Sequence, residues 1–472
     1  MNRYLILVLF CLFLFNAVGQ RGKDGDYTVA ALNEVVNTYT PLAASTYPGL
    51  TQIEVVDNSL SGAGFSGNLQ AGDLLLIYQV RGIHVDVNDY PTTEWGGVYT
   101  VQNSFFDPAS PFYNIYNFME FGAVTNYYSA GLFQFVEVVS VEGNDKINLK
   151  CPLDYSFFVG AHDDCVVIRV PRYDNLTVPS GTSITSPAWN GTTGGVVAVE
   201  VDGDLVLNGR IHADARGFRG GVAVNNSEAA GGPGSISNLN DRGYVGSNTS
   251  LQGSEKGESI FGSQSYYNSE KNSRYGYGSI ANGGGGGGYH NAGGGGGSNV
   301  GNGAYYGYGV VDRGAGNAYD PAWNLESPNL INQPSAGGGR GGYSGVSNNL
   351  NPLAVGPHNS SWGTDYRRIS GGVGGHPLAY DVNRIFMGGG GGGGHGNNNF
   401  GGDGGNGGGV VFVTIYGETT GGGIISANGQ NGESTEGGQP GLNSQTGGDG
   451  GGGAGGGGAI MLKNSKDRKS VV

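Results

Sequence analysis

Short apolar runs, each preceded by glycine, recur at a fixed spacing in this chain. Val196–Val201 and Val410–Ile415 are six-residue runs rich in β-branched side chains. An offset of 214 residues aligns them without a gap and also places Gly203 on Gly417. A third copy begins at Gly458, where GAIMLK matches GVVFVT. The pattern predicts a buried strand followed by a glycine turn in each copy.

Each of the first two copies continues with a second short apolar stretch. It consists of Leu205–Leu207 and Ile211 in the first copy, and of Ile424 and Ile425 in the second. Short strands that alternate with glycine turns predict the stacked rungs of a β-solenoid. A repeated β-hairpin in a sandwich is the alternative, and the pattern favours the solenoid.

The region upstream of the first copy, residues 51–171, is predicted to be an N-terminal β domain. Its clearest strand signals are QIEVVD, AGDLLLIYQVRG, LFQFVEVVSVEGN, KINLKCPL and DCVVIRVPRY, and no segment has a convincing helical period. Gly143 and Asn144 separate two of these runs and predict a hairpin turn. Residues 20–50 are polar, and we expect them to form a loop-like lead.

Glycine is concentrated in the second half of the chain. It accounts for 97 of 472 residues, about three times its average use. Residues 225–383 contain two uninterrupted glycine runs, with tyrosines interleaved among them. The runs either pack at close range as extended helices, as glycine does in collagen, or form a disordered linker. The interleaved tyrosines favour packing.

Both ends carry segments that we exclude from the fold. Arg3 precedes an apolar run that ends at an Ala-x-Gly site before Gln20, which is typical of a secretory signal peptide. The last six residues, DRKSVV, resemble the translation of a common sequencing adapter. We therefore expect that residues 467–472 are an artefact and that the natural chain continues past Lys466. A natural basic tail is the alternative.

The predicted fold class is all-β. An N-terminal β domain is followed by β-solenoid-like repeats with a glycine-rich insertion, which is polyglycine II-like or disordered. The predicted organisation is a signal peptide (1–19), a polar lead (20–50), an N-terminal β domain (51–171), a first β repeat (172–224), a Gly/Tyr/Asn/Ser-rich insertion (225–383), a second β repeat with the start of a third (384–466) and the suspect tail (467–472).

The mature chain is acidic. The full sequence has a formal charge of −14, which becomes −16 once Arg3 and the net single positive charge of the tail are removed. Such a charge disfavours nucleic acid and anionic lipid as partners. Beyond the signal, no apolar run is long enough for a transmembrane helix. Cys151 and Cys165 remain after signal removal, and two cysteines in a secreted chain predict one disulfide.

Carboxylates near the repeat turns are the candidate catalytic groups. On a solenoid face, Asp202, Asp204 and Asp214 would supply the acid and base of polysaccharide cleavage. However, Asp202 and Asp214 are replaced by Tyr416 and Asn428 in the second copy. Such replacements favour solvent-facing turn positions, so no catalytic residue is predicted.

Aspartates and histidines in the glycine-rich segments are the candidate metal ligands. Asp403 and Asp449 lie in glycine strings that faintly resemble calcium-binding nonapeptide repeats, but the regular aspartate spacing is missing. Turn acids are therefore predicted there. His290, His376 and His395 adjoin glycine runs, and their spacing matches no zinc motif. We expect them to hydrogen-bond to glycine backbone, and we predict no metal or cofactor.

Tyrosines of the insertion are candidate ligand contacts, because aromatic faces suit stacking on sugar rings. The alternative is that they simply cover glycine backbone. The candidates are Tyr266, Tyr267, Tyr289, Tyr305 and Tyr306.

Three strings carry a resemblance to one family. They are VPRYDNLTVPSGTSITSPAWNGTTGGVVAVEVDGDLVLNG, RIFMGGGGGGGHGNNNFGGDGGNGGGVVFV, and IISANGQNG with GGDGGGGAGGGGAIML. Together, from roughly Gly72 to Lys463, they are similar to the glycine-rich, adhesin-like surface proteins of Gram-negative bacteria that use type IX secretion. The resemblance implies a large, multidomain cell-surface protein with a C-terminal sorting domain, and it assigns no site residues.

The glycine runs alone show two weaker similarities. One is to the glycine-rich extracellular domain of the anaplastic lymphoma and leukocyte tyrosine kinase receptors. The other is to the polyglycine sandwiches of phage tail-tip adhesins. The kinase comparison implies no catalysis, because the chain has no H-R-D or D-F-G motif.

The predicted function is a secreted or cell-surface structural and adhesive protein without catalysis. Attachment is expected through a region beyond this sequence, with surface glycans or other cell-surface proteins as partners. One alternative is a polysaccharide-active β-helix enzyme, which requires a cleft lined by clustered carboxylates and a basic residue. The other is the extracellular part of a glycine-rich receptor, which requires a membrane span further along the chain.

Overall fold

The computed structural model describes residues 21–85, 122, 124–225, 250, 253–271, 273–287, 292–301, 337–339, 341, 371–396, 400–435 and 449–464. Over these residues the protein is nearly all β, as predicted, with one helix, α1 (Gln264–Lys271), inside the glycine-rich insertion. In these ranges no helix has the length and apolar character needed to cross a membrane. The strands are β1 (Tyr27–Thr28), β2 (Glu34–Val35), β3 (Thr38–Pro41), β4 (Gln52–Glu54), β5 (Leu74–Gln79), β6 (His84–Val85), β7 (Val124–Asn126), β8 (Phe133–Glu142), β9 (Lys146–Leu149), β10 (Cys165–Val170), β11 (Arg172–Tyr173), β12 (Leu176–Val178), β13 (Ser183–Thr185), β14 (Val196–Val201), β15 (Leu205–Leu207), β16 (Arg210–His212), β17 (Val224–Asn225), β18 (His395–Gly396), β19 (Val410–Ile415), β20 (Thr419–Thr420), β21 (Ile424–Ser426) and β22 (Ala459–Asn464).

One sheet is antiparallel and has the strand order β3-β10-β5-β8-β9-β4. Strand β5, with the sequence LLLIYQ, is buried on both faces, which explains its unbroken apolar run. Strands β8 and β9 form the predicted hairpin, and Gly143 in its turn has a φ of 60°. A positive φ of this kind favours glycine.

Three further sheets are parallel and four-stranded, with the orders β11-β14-β19-β22, β1-β12-β15-β20 and β2-β13-β16-β21. Successive passes of the chain visit the three sheets in the same order. We call these strands the stacked region. The predicted offset of 214 residues is their pairing register, because Val196 lies beside Val410 and Ile211 beside Ile425. The third copy pairs in the same way, with Ala459 beside Val410.

The lead at residues 20–50 is not the loop that the sequence predicts. Strands β1 and β2 pair with β12 and β13 at one end of the stacked region, and β3 pairs with β10 of the antiparallel sheet. Strands β1 and β2 have only two residues each. Their partners lie about 150 residues further along the chain. Tertiary pairing of this kind leaves no local strand signal.

Aliphatic side chains from all three parallel sheets fill one core inside the stacked region. Val197 of β14, Leu205 of β15 and Ile211 of β16 are each 0% exposed. Full burial of such a side chain contributes about 1.5–3 kcal/mol. The recurring β-branched residues of the repeat therefore line a shared interior.

Glycine segments lie beside the stacked region and hydrogen-bond to one another through their backbones. The run 388–395 is surrounded by other segments, and its N–H groups donate to three of them in turn, with a repeat of three residues. Gly388, Gly391 and Gly394 donate to Gly408, Gly405 and Gly402; Gly389, Gly392 and His395 donate to Ser298, Gly295 and Ala292; Gly390 and Gly393 donate to Glu258 and Glu255.

Carbonyl groups of the same run accept bonds from three further segments. Gly388 and Gly391 accept from Phe218 and Gly221, Gly390 and Gly393 from Gly284 and Gly287, and Gly389, Gly392 and His395 from Gly456, Gly453 and Gly450. A period of three is that of an extended left-handed helix, whereas a β-strand has a period of two. We call run 388–395 the central run. With its six neighbours (218–221, 255–258, 284–287, 292–298, 402–408 and 450–456) it forms the glycine bundle.

Close approach explains why these positions are glycine. A Cβ atom on Gly392 would lie 1.9 Å from the carbonyl oxygen of Gly285, and one on Gly390 would lie 1.9 Å from that of Arg219. Such contacts have no flexible side chain that could yield, because both partners are backbone atoms. Any larger residue at these positions must displace a neighbouring segment.

An aromatic-rich core joins the antiparallel sheet, the stacked region and the glycine bundle. The Phe412 ring on β19 lies 5.0 Å from Phe133 and 6.5 Å from Tyr78, between ring centroids. The Tyr78 hydroxyl donates to the Ile385 carbonyl at 3.0 Å, shortly before the central run. Side chains from all three parts therefore pack in one cluster.

Candidate functional site

Tyr266 is the one candidate tyrosine that the structure describes at a partly exposed position. Its ring stacks on His162 at a centroid distance of 4.9 Å and meets Phe261 edge-on at 5.5 Å. Ser263 precedes helix α1, and its hydroxyl accepts the Tyr266 N–H at 3.3 Å. This N-cap fixes the start of the helix. The three rings form a small aromatic cluster between the antiparallel sheet and the glycine bundle.

Tyr267 is a core residue, in contrast to its selection as a ligand contact. Its side chain is 0% exposed, and its hydroxyl shares a 2.6 Å hydrogen bond with Ser259. Burial raises the pKa of Tyr267. Neighbouring positions on a helix face in different directions, so Tyr266 and Tyr267 separate. The other candidates, Tyr289, Tyr305 and Tyr306, lie outside the described residues.

Two of the candidate catalytic carboxylates connect successive passes of the chain. One Asp204 carboxylate oxygen accepts the Glu418 N–H at 2.7 Å, and one Asp214 oxygen accepts the Asn428 N–H at 2.7 Å. Both acceptors bond to the residue 214 positions ahead, which is their own equivalent in the next copy. Asp202 occupies an exposed turn between β14 and β15.

The Asp204 bond belongs to a ladder at one corner of the stacked region. An Asp26 carboxylate oxygen accepts the Asn175 N–H at 3.2 Å, and the Asn175 amide oxygen accepts the Asp204 N–H at 2.8 Å. We call Asp26, Asn175, Asp204 and Glu418 the turn ladder. Each of its first three side chains satisfies a turn amide of the next pass, which is a structural role.

The acids and histidines of the glycine region are also held by the fold. Asp403 accepts the Ala223 N–H at 2.7 Å and Asp449 accepts the Phe400 N–H at 2.9 Å, so each carboxylate bonds to a segment that is distant in sequence. His376 and His395 are 3% and 4% exposed. His290 lies outside the described residues. Among the residues that are described, no group of three His, Cys, Asp or Glu side chains is placed to hold a metal ion.

Cys151 and Cys165 are not joined, in contrast to the predicted disulfide. Cys165 is buried on β10, and Cys151 is exposed after β9. Because β5 and β8 lie between β9 and β10, the backbones of these two strands are about 14 Å apart, at about 4.8 Å per strand. A disulfide requires Cα atoms within about 7 Å. Burial raises the pKa of the Cys165 thiol, which keeps it protonated.

A buried ion cluster joins the antiparallel sheet to the glycine bundle, and the sequence gives no signal of it. Glu258 is 0% exposed, with one carboxylate oxygen 3.0 Å from an Arg81 nitrogen and the other 3.0 Å from Arg219 Nε. Burial alone would raise the pKa of Glu258, but the two guanidinium groups outweigh it and the pKa is lowered. The Asp164 carboxylate lies 3.1 Å from Arg81. Burial raises its pKa, although Arg81 opposes the shift.

Comparison with known proteins gives little. No protein-family model matches the chain, and no curated protein matches it. Among solved structures, the chain is similar to the Gp54 tailspike of Acinetobacter baumannii bacteriophage AP22 in complex with A. baumannii capsular saccharide. The likeness covers 40% of this chain and 27% of the tailspike chain, at 13% identity and a TM-score of 0.17. At that score it carries no argument about fold or function.

Proposed function

We propose that the chain is a non-catalytic structural and adhesive module of a secreted, cell-surface protein. In this proposal the stacked region is a short β-solenoid, and the glycine bundle is an array of polyglycine II-type helices. The chain belongs with the glycine-rich adhesin-like surface proteins that it resembles. Its partners are surface glycans or other cell-surface proteins.

The observation that carries the proposal is the bonding of the central run. Its amides and carbonyls bond to six neighbouring segments with a period of three, and the nearest atoms around its glycines are backbone atoms. Such a body has no room for a substrate between its segments. It suits a role in which a rigid shape holds a surface away from the cell.

The polysaccharide-active enzyme is less well supported. A glycoside hydrolase needs two carboxylates on either side of the scissile bond. Asp204 and Asp214 instead bond to backbone amides at different corners of the stacked region, before β15 and after β16.

The test attaches the full-length secreted chain to beads. Retention of the beads is measured under flow on glass coated with polysaccharides and on glass coated with cell-envelope proteins, and reducing ends are measured in the eluate. We expect retention on at least one surface, with reducing ends no higher than for uncoated beads. Reducing ends that rise in proportion to the amount of attached chain would contradict the absence of catalysis. Equal retention of beads with and without the attached chain would contradict adhesion.

A further inference from the structure

Two exposed tyrosines lie on neighbouring loops where the antiparallel sheet meets the lead into the central run. Tyr128 is 46% exposed, and Tyr380 is 76% exposed. Tyr380 and the nearby Val382, at 74%, are the two most exposed large apolar side chains that the structure describes. Exposed apolar surface that is grouped in this way marks interaction sites more often than scattered single residues do.

The two loops are fastened to each other beside these rings. The Ala379 N–H donates to the Tyr127 hydroxyl at 2.7 Å, so the residues just before Tyr128 and Tyr380 are bonded together. Arg384 adds a second connection, because it donates to the Tyr128 carbonyl at 2.6 Å and to Asp381 at 3.2 Å. Both rings are therefore presented by a fixed backbone, which lowers the entropy lost on binding.

Backbone strain at Tyr128 is a separate observation. Its φ is +40°, a region that bulky residues rarely adopt. The Asn126 side chain accepts the Tyr128 N–H at 2.9 Å and helps to hold this conformation. Strain of this kind costs about 1–3 kcal/mol and concentrates at functional positions. Glycine would fit the backbone here without strain, so the tyrosine side chain occupies this position at an energetic cost.

We propose that Tyr128 and Tyr380 form a saccharide-binding site. The tyrosine faces stack on pyranose rings, whose C–H faces are apolar, and Asp381 accepts sugar hydroxyls. The Asp381 side chain is 40% exposed, and a carboxylate has about four acceptor positions, of which Asn383 and Arg384 use two. Charged groups beside the rings disfavour a lipid tail, and the formal charge of −14 disfavours nucleic acid. This inference rests on the proposed adhesive function and names the ligand class and the residues that bind it.

The experiment probes an array of neutral, acetamido and acidic glycans with the full-length chain, and measures the Kd for the best glycan by interferometry. Three variants are compared with the wild-type chain. Y380A removes one ring, Y380F keeps the ring without the hydroxyl, and Y128G removes the other ring while relieving the backbone strain. Y47A is the matched control, because Tyr47 is also exposed, at 55%, but lies against Phe158 in another part of the sheet.

We expect Y380A and Y128G each to raise the Kd about tenfold or more, the loss expected for a stacking contact of about 1.4 kcal/mol. Y380F and Y47A should stay within about twofold of the wild-type value. The melting temperature of Y128G is measured alongside, and a value at or above that of the wild-type chain shows that its loss of binding does not come from misfolding.

Two results overturn the site. One is a wild-type chain that binds no glycan on the array, and the other is unchanged binding in both Y380A and Y128G. If either result came together with bead retention on envelope proteins, the adhesive function would stand while this site falls. Glycan cleavage in the reducing-end assay would remove the adhesive function itself.

Discussion

The stacked region and the glycine bundle solve the same problem in different ways. Both must satisfy backbone hydrogen bonds in a buried interior. The stacked region pairs strands in parallel and fills its centre with aliphatic side chains such as Ile211. The glycine bundle brings backbones together directly, with no side chain between them. The first therefore draws on hydrophobic burial, and the second on close packing of peptide groups.

The difference teaches where each region tolerates change. An aliphatic core accepts another aliphatic residue at modest cost, because volume and polarity are conserved. A backbone-to-backbone contact has no such margin, because even one methyl group collides with peptide atoms. The two regions should therefore respond to single-atom changes with effects of very different size.

The largest effect is expected from G392A in the central run. The new Cβ would lie 1.9 Å from the Gly285 carbonyl oxygen, so a neighbouring segment has to move and its bonds are lost. We expect a loss of about 4 kcal/mol or more in the free energy of unfolding, measured by urea denaturation. G457A is the control, because nothing lies within 4 Å of a Cβ there. Equal stability of the two variants would contradict close packing of the central run.

E258Q tests the buried ion cluster that joins the antiparallel sheet to the glycine bundle. Removal of the buried charge leaves Arg81 and Arg219 with a weakened partner, and breaking a buried pair costs about 3–5 kcal/mol. The matched control is E54Q, because Glu54 pairs with Lys146 at 3.6 Å with both side chains more than 40% exposed. Exposed pairs contribute about 0–1 kcal/mol. Similar losses of unfolding free energy in the two variants, measured in urea, would show that the Glu258 cluster does not hold the antiparallel sheet to the glycine bundle.

The same cluster predicts a direction for pH dependence. The pKa of Glu258 is lowered from its reference value of 4.5, so its stabilising contribution is complete above that value and is lost as pH falls through the folded-state pKa. The raised pKa of Asp164 acts in the opposite direction over a neighbouring range. We expect the wild-type chain to lose more stability below pH 4.5 than E258Q does. Parallel melting-temperature profiles for the two proteins would contradict this.

A smaller effect is expected in the aliphatic core. I211A removes a fully buried side chain and should cost about 2–5 kcal/mol, while I211V should cost only about 0.5–1.5 kcal/mol. Ile424, on the neighbouring strand β21, is 55% exposed, so I424A should change stability by no more than about 0.5 kcal/mol. Differential scanning calorimetry would rank the three. We expect the loss of stability to increase gradually with the size of the removed group at Ile211, whereas a single methyl group at Gly392 should cause a large loss.

The smallest effect belongs to the turn ladder. D204A removes the acceptor for the Glu418 N–H and should cost about 0.5–1 kcal/mol, because the site is exposed. D204N should be close to neutral, because Asn175 makes the equivalent bond in the preceding pass. Chemical denaturation of both variants checks the ranking. If D204N were the more destabilised, a charge-dependent role for Asp204 would replace the structural one.

The stacked strands could be predicted because their pattern is carried by side chains. β-branched residues at Val196–Val201 and Val410–Ile415 repeat at one offset, and that offset is the pairing register. The partners of the central run could not be predicted, because glycine has no side-chain pattern and its neighbours come from distant segments. The short strands β1 and β2 could not be predicted for a similar reason, since they are strands only through their pairing with distant segments.

Candidate residues were harder to place than strands. Tyr266 and Tyr267 are adjacent and alike in sequence, and only the start of α1 determines which ring is buried. The disulfide prediction followed from the two cysteines that remain in a chain expected to be secreted, but the sheet order places β5 and β8 between β9 and β10. Glu258 and Arg81 are 177 residues apart in sequence, and nothing local indicates that they meet.

Amide hydrogen exchange of the central run tests the central claim most directly. Peptides that span residues 388–394 and 410–415 would be followed by mass spectrometry after transfer of the full-length chain to deuterated buffer. Because the amides of Gly388 to Gly394 donate to neighbouring segments, we expect their protection to match that of β19, within about tenfold. Exchange of 388–394 at the rate of an unstructured peptide, beside a protected β19, would contradict a hydrogen-bonded glycine bundle.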